Sequence, residues 1–325
     1  MFSLLGTGCG STGDSSQPRE FTIAMTGYLM GQVGPCKCPG NPLGGFARRV
    51  AVMERDLDTK DDVLKVDTGK WVSLDPDRGV ADSRITAAVL SELGTHAVNV
   101  TMRDARLGLD LLKDLQKEYK LPFVSANLID VNSEKAIFPA SKRVKLKFAD
   151  GGSMDVGIVG VCRAGTNNYM PPESGLAFAD PGPALLEAYK DVMDAPCVVL
   201  LCDADRGMTA DWLAMLEEET GSRPSVVLSS NLHPTRSARI LIGQTPMTTT
   251  GRQGKYTDIV TMVPLGEQGW DAQKAGVALN SDSPEDAKTI QLIDEILADY
   301  PELENLAAAG DEEDDFHDYK DRITH

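Results

Sequence analysis

The chain has 325 residues, a hydrophobic content of 42%, a charged content of 25% and a formal net charge of −17. That is enough apolar sequence for one large α/β domain or two small ones. The acidic balance argues against a nucleic-acid partner, because binding a phosphate backbone takes a basic face. No apolar run approaches the ~20 residues of a membrane-spanning helix.

Residues 1–9 are short and apolar and end in Gly-Cys, and a Gly/Ser-rich stretch follows at 10–17. A small residue before Cys9 and a flexible tether after it resemble the end of a bacterial lipoprotein signal. The expectation is a lipidated Cys9 and an extracytoplasmic, membrane-anchored protein; the alternative is an N-terminus with an incidental Cys. Residues 1–20 are read as this segment and its linker.

From Phe21 onward, apolar runs alternate with amphipathic stretches. Phe21–Met25 and Val63–Asp67 are predicted strands, Ala81–Leu93 a helix, Ala97–Thr101 a strand, Leu107–Tyr119 a helix and Pro122–Ala126 a strand. Such alternation predicts βαβ units in a largely parallel sheet. The Asp-Gly-Gly turn at 150–152 between Val144–Phe148 and Met154–Val161 predicts a hairpin. Strands at Cys197–Cys202, Ser225–Ser229, Pro246–Thr250 and Asp258–Val263 and a helix at Ala210–Glu219 follow. Two α/β halves with antiparallel strands between them predict two stacked mixed sheets flanked by helices, a four-layer α/β/β/α sandwich. The division is a domain over 21–265, an extension over 266–310 with a helix at Pro284–Asp299, and a tail over 311–325. The tail carries seven Asp or Glu against one Lys and one Arg, and is read as solvated.

Several segments carry a resemblance, in order along the chain: Phe-Thr-Ile-Ala-Met at 21–25, Gly-Gly-Phe-Ala-Arg-Arg at 44–49, Leu-Gly-Thr-His-Ala-Val at 93–98, Phe-Val-Ser-Ala-Asn at 123–127, Gly-Ile-Val-Gly-Val at 157–161 and Gly-Lys-Tyr at 254–256. Over roughly 20–265 the chain resembles the calcineurin-like metallophosphoesterases, specifically the 5′-nucleotidase branch. The resemblance implies a site for two metal ions that activate water and neutralise phosphate oxygens. Aligned by the matching strands, the family's Asp-x-His pair falls on Tyr28 and Met30, the Asp of Gly-Asp-Asn on Lys70, the Asn-His pair on Met102 and Arg103, a later His on Asp203, and the closing Gly-His-x-His on residues 230–233, which include Asn231 and His233. Protonated Lys and Arg repel a dication, and thioethers are too soft for Mg²⁺ or Mn²⁺. The expectation is a pseudoenzyme, with no cofactor at the ancestral dinuclear site and without the family's C-terminal nucleoside-binding domain. Asp67, Asp75 and Asp104 lie nearby as stand-in ligands for the rival reading, a phosphoric ester hydrolase with an altered metal site. His96 falls inside a predicted strand and is read as structural.

The loop after the first strand carries Pro-Cys-Lys-Cys-Pro at 35–39. Cys36, Cys38, Cys162, Cys202, Met30, Met102 and His233 are all placed at strand ends on one rim. That enrichment in soft donors leaves three roles open: a redox-active dithiol favoured by the Lys37 charge, a Cu(I) or other soft-metal site, or a docking point for a membrane protein complex. A structural Cys36–Cys38 pair is the plainer alternative. The Gly-rich stretches at 31–34 and 40–45 match no phosphate loop, and Ser229 and Ser230 have no visible relay partners. The favoured function is an extracytoplasmic binding, thiol-redox or accessory subunit, for example of an electron-transfer assembly at the membrane.

Overall fold

A computed structural model describes residues 17–57, 62–164, 170, 174–231 and 240–303. Cys9, His233 and the acidic tail lie outside the described residues.

Parallel strands β1 (Phe21–Thr26), β2 (Val63–Asp67), β3 (Ala97–Asn99) and β4 (Phe123–Val124) form one side of the first sheet. Antiparallel β13 (Tyr256–Pro264) and β14 (Trp270–Ala278) extend it beyond β1. In the second sheet β7 (Ser153–Cys162), β9 (Cys197–Asp203), β10 (Val226–Ser229) and β12 (Thr245–Thr249) are parallel. Its edges are antiparallel β6 (Ser141–Lys147) and β11 (Ile240–Ile242). β5 (Leu128–Asp130) and β8 (Leu176–Phe178) make a separate small ribbon.

Side-chain alternation builds the layers. Along β1, Ile23 and Met25 point between the sheets and Ala24 toward the helices; along β9, Cys197, Val199 and Leu201 point inward and Val198, Leu200 and Cys202 outward. Burial on both faces is why these strands read as continuous apolar runs. The outer face of the first sheet is covered by α1 (Phe46–Leu57), α2 (Gly79–Glu92) and α4 (Leu109–Tyr119), with α7 (Ala287–Leu297) packed on α1 and α2. On α1 the core residues Phe46, Val50, Met53 and Leu57 recur at helical spacing. The second sheet is covered by α5 (Pro181–Lys190) and α6 (Arg206–Thr220). The α6 helix starts where Asp205 accepts from the Met208 N–H at 2.9 Å and ends at Gly221 with φ 72°. The result is the expected α/β/β/α sandwich.

Two expected elements are altered. The strand predicted through Thr101 stops at Asn99, because Thr101 and Asp104 form a capping box that opens a short helix, α3 (Met102–Ala105). Met102 and Arg103 therefore lie in a helical turn rather than at a strand end. The strand predicted over Pro122–Ala126 shrinks to Phe123–Val124, since the chain then crosses to the second sheet, with the Ala126 N–H donating to the Gly160 carbonyl at 2.7 Å. This crossing needs Gly160, where an added Cβ would lie 2.7 Å from Asn99 Oδ1 and 2.8 Å from the Val124 carbonyl. Gly160→Ala is expected to lower stability by about 1–3 kcal/mol, read by urea denaturation; a neutral result would mean that the sheets separate easily.

Candidate functional site

The parallel strands of both sheets end at one rim, as open α/β sheets require. There the loops after β1 and β2 are zipped together by backbone bonds: Tyr28 N–H to the Gly69 carbonyl at 2.8 Å, Met30 N–H to the Lys70 carbonyl at 2.9 Å, and Gly31 N–H to the Trp71 carbonyl at 3.1 Å. Tyr28, Met30 and Lys70 all adopt left-handed conformations, with φ of 51°, 58° and 60°. Such conformations are uncommon outside glycine and cluster where a site constrains the backbone. Gly69 has no side-chain alternative, since a Cβ there would lie 2.2 Å from Thr101 Cγ2.

The three stand-in carboxylates are committed to backbone. Asp104, fully buried, accepts from the backbone N–H groups of Lys70 (3.0 Å), Trp71 (3.0 Å), Val72 (3.3 Å) and Thr101 (2.9 Å) and from the Thr101 hydroxyl (2.7 Å). It hangs the β2 loop from α3. Asp67 accepts from the Thr26 hydroxyl at 2.6 Å and from the Gly69 N–H at 2.8 Å. Its burial raises the carboxyl to about 7, against the lowering effect of these bonds. Asp75 accepts from the N–H groups of Asp77 and Arg78 at 2.9 and 2.8 Å, ahead of α2.

Lys70 then points its ammonium into the rim. Nζ lies 2.8 Å from Asp203 Oδ1, donates to Asn231 Oδ1 at 2.9 Å and approaches the Ser230 carbonyl at 3.4 Å. The Tyr28 ring stacks beneath it, its centroid 5.3 Å from Nζ and 5.7 Å from the Arg252 guanidinium carbon. Asp203 is 2% exposed, and this ammonium is its ion-pair partner. On the other side, Asp203 Oδ2 is 3.8 Å from Cys162 Sγ. The Cys162 backbone is clamped by Asn127, whose Oδ1 accepts its N–H at 3.1 Å and whose Nδ2 donates to its carbonyl at 2.7 Å. Burial, then the Asp203 charge, pushes the Cys162 thiol well up, against the Met102 N–H directed at its sulfur.

The structure thus brings Tyr28, Lys70, Asp203, Asn231 and Cys162 together, with Met30 and Met102 joined to them through backbone. Among the described residues, Cys36, Cys38 and Cys202 do not join that group. Cys36 and Cys38 are joined in a disulfide. Cys202 and Cys197 are buried, on opposite faces of β9, and burial raises their thiols to about 11 and about 12. Among the described residues no three His, Cys, Asp or Glu converge as a metal-binding group. His96 accepts the Lys65 N–H at Nδ1 (3.0 Å), between β2 and β3. Of the aligned positions, the described ones hold a phenol, two thioethers, an ammonium, a guanidinium, one carboxylate paired to the ammonium and one amide that accepts from it, a set poor in free anionic donors for divalent metal ions.

A second buried charge group lies near this rim. Lys274 Nζ is 3.1 Å from Asp258 Oδ1, Asp258 Oδ2 accepts the Gly251 N–H at 2.6 Å, and Arg49 donates to the Tyr256 carbonyl at 2.9 Å. Sequence reasoning missed both this group and the role of Asp104. The Thr-x-x-Asp spacing at 101–104 was the available signal for the latter.

Solved structures with this arrangement of layers include a 5′-nucleotidase precursor of Thermus thermophilus, at 18% identity and a TM-score of 0.67, covering 87% of this chain and 59% of that one. The sulfate thiohydrolase SoxB from Thermus thermophilus matches at 17% identity and a TM-score of 0.69, covering 93% of this chain and 62% of that one. The calcineurin-like phosphoesterase YfkN of Bacillus subtilis matches at 15% identity and a TM-score of 0.64, covering 86% and 97%. The fold is that of the calcineurin-like phosphoesterases. This phosphoesterase-fold chain spans about three fifths of the first two relatives. No protein-family model matches the sequence, and no curated protein does. Among the described residues, no helix is long and apolar enough to cross a membrane.

Proposed function

We propose that this chain is a phosphoesterase-fold protein without hydrolytic function, in which the Lys70 ammonium replaces metal charge and an exposed disulfide provides the working chemistry. The observation that carries the first half is Nζ of Lys70 lying 2.8 Å from Asp203 and 2.9 Å from Asn231. A fixed monocation there satisfies the buried carboxylate and repels a dication, so neither a bridged water nor a neutralised phosphate can be arranged. Incubation with Mn²⁺, Mg²⁺, Co²⁺ or Zn²⁺ and with nucleotides or a chromogenic phosphate ester is expected to give no turnover above buffer. Metal-dependent turnover that disappears in His233→Ala would restore the hydrolase reading.

The second half is supported by the loop after β1. Cys36 and Cys38 are bonded to each other, Cys36 half-buried and Cys38 exposed, whereas Cys162, Cys197 and Cys202 are buried. A solvent-reachable disulfide two residues across, beside a cation, is suited to thiol–disulfide exchange rather than to stapling distant elements. Within this reading the protein is extracytoplasmic, held at a membrane through lipidated Cys9, and serves as an accessory redox subunit. Mass spectrometry of the native protein should find acyl groups on Cys9; an unmodified Cys9 removes the anchor from the proposal.

A further inference from the structure

The two sulfurs of the Cys36–Cys38 disulfide are held differently. Cys36 is fixed by a reciprocal pair of contacts with Leu43: its N–H donates to the Leu43 carbonyl at 2.8 Å, and the Leu43 N–H points at its Sγ at 3.3 Å. The loop segments on either side are bridged as well, Pro35 opposite Gly44. Gly44 in turn donates to the Leu279 carbonyl at 2.7 Å, and Phe46, the first residue of α1, to the Val33 carbonyl at 3.0 Å. Cys36 is therefore tied to α1 and to the residue that follows β14. Cys38 lies on the exposed part of the loop, where Lys37, Pro39, Gly40 and Asn41 are also exposed.

We propose that Cys38 is the sulfur attacked by incoming thiols and that Cys36 is the leaving sulfur, which in the reverse, oxidising direction resolves the mixed disulfide. This rests on the redox reading above and assigns its chemistry. A thiolate, as the external reductant, approaches exposed Cys38 Sγ, and its lone pair forms the new S–S bond. The Cys36–Cys38 bond breaks, and its electron pair leaves on Cys36 Sγ as a thiolate. The Leu43 N–H and the adjacent Lys37 charge stabilise that anion, and a better-stabilised leaving sulfur departs faster. A second thiolate then attacks the reductant's sulfur in the mixed disulfide, releasing an oxidised reductant dimer and Cys38 thiolate. Two thiols are oxidised and one protein disulfide is reduced. In reverse, reduced Cys38 attacks a disulfide of the reductant class. Cys36, still held by Leu43, then attacks Cys38 Sγ and expels the bound half as a thiolate. Cys162, Cys197 and Cys202 do not compete, because they are buried.

The test uses the oxidised full chain and limiting glutathione. The reaction is quenched with iodoacetamide, and trypsin cleavage after Lys37 then places the two cysteines on separate peptides. Glutathione is expected on Cys38 and carbamidomethyl on Cys36 in about tenfold excess over the reverse, the effect of one hydrogen bond to a charged sulfur. In the reduced single variants, Cys36→Ser should keep a stable glutathione adduct on Cys38 after exposure to oxidised glutathione. Cys38→Ser should form its adduct about tenfold more slowly. Glutathione mainly on Cys36, or an even split, overturns the assignment and leaves the redox reading standing. A disulfide that forms no adduct at either sulfur and is not reduced overturns both.

Discussion

Replacing Lys70 by Met is expected to destabilise the protein by about 3–5 kcal/mol, the usual cost of leaving a buried ion without its partner. Met keeps the unbranched shape, and it carries the same backbone penalty as Lys at φ 60°. The change therefore reports the lost charge rather than the loop. Without the ammonium, buried Asp203 loses the cation 2.8 Å from its Oδ1, and Asn231 Oδ1 loses its donor. Removing both charges in Lys70→Met with Asp203→Asn should cost less than Lys70→Met alone, below about 2 kcal/mol, because nothing charged is then stranded. Urea denaturation of the two singles and the double closes the cycle. Additive effects, or a single variant costing under about 1 kcal/mol, would mean that the pair is solvated and that Lys70 does not substitute for metal charge.

That pair is also where sequence and structure meet most directly. Alignment of the strands is enough to bring Lys70, Asp203 and Asn231 to one place, because strand ends in a parallel sheet share a rim. It could not foresee that Lys70 would reach both of the others, since this depends on the left-handed turn at Lys70 and on the Asp104 bonds that hold it. Asp104 reads in the sequence as a stand-in ligand, although its Thr-x-x-Asp spacing signals a cap; its carboxylate is used up by backbone N–H groups that the fold gathers from the β2 loop and the start of α3. The described soft donors are separated for a different reason. Being near a strand end does not say which face a side chain takes, and one residue changes the face. Cys202 turns toward α6, where it lies 4.0 Å from Thr209 Oγ1, while Cys162 turns toward Asp203.

Three consecutive contacts between the loops after β1 and β2 hold Tyr28, Met30 and Lys70 at positive φ. Each of these conformations costs of order 1 kcal/mol or more. The packed helices and sheets around the loops outweigh that cost, so the turn geometry persists while the groups on it are an aromatic ring, a thioether and an ammonium.

The second large effect is expected in the pH dependence of stability, through Asp67. Its carboxyl lies on β2 below the Lys70 turn, fully buried, and burial raises it to about 7. An unfolded Asp titrates near 3.8. Below that pH both states hold the proton and the stabilisation is fully present. As pH rises from about 4 to about 7 the unfolded chain gives up its proton while the folded chain keeps it, so stability falls by about 1.4 kcal/mol per pH unit from this group. Between pH 4.5 and 7.5 the loss would be roughly 3 kcal/mol from this group. The protonated acid has a place for its hydrogen, since it can donate to Thr26 Oγ1, whose own proton then turns to the Val66 carbonyl at 3.3 Å. Asn has the same donor and acceptor arrangement, with Oδ1 left for the Gly69 N–H. Asp67→Asn should therefore fold as the wild type does in acid and exceed it at pH 7.5, flattening the curve by roughly 3 kcal/mol over that window. Asp104, Asp82 and Asp258 are raised by burial in the same direction, so the variant should keep part of the slope. Denaturant midpoints measured across the window decide it: parallel curves for wild type and variant would show that Asp67 is ionised in the folded protein and that the Arg49 charge, rather than a proton, balances it.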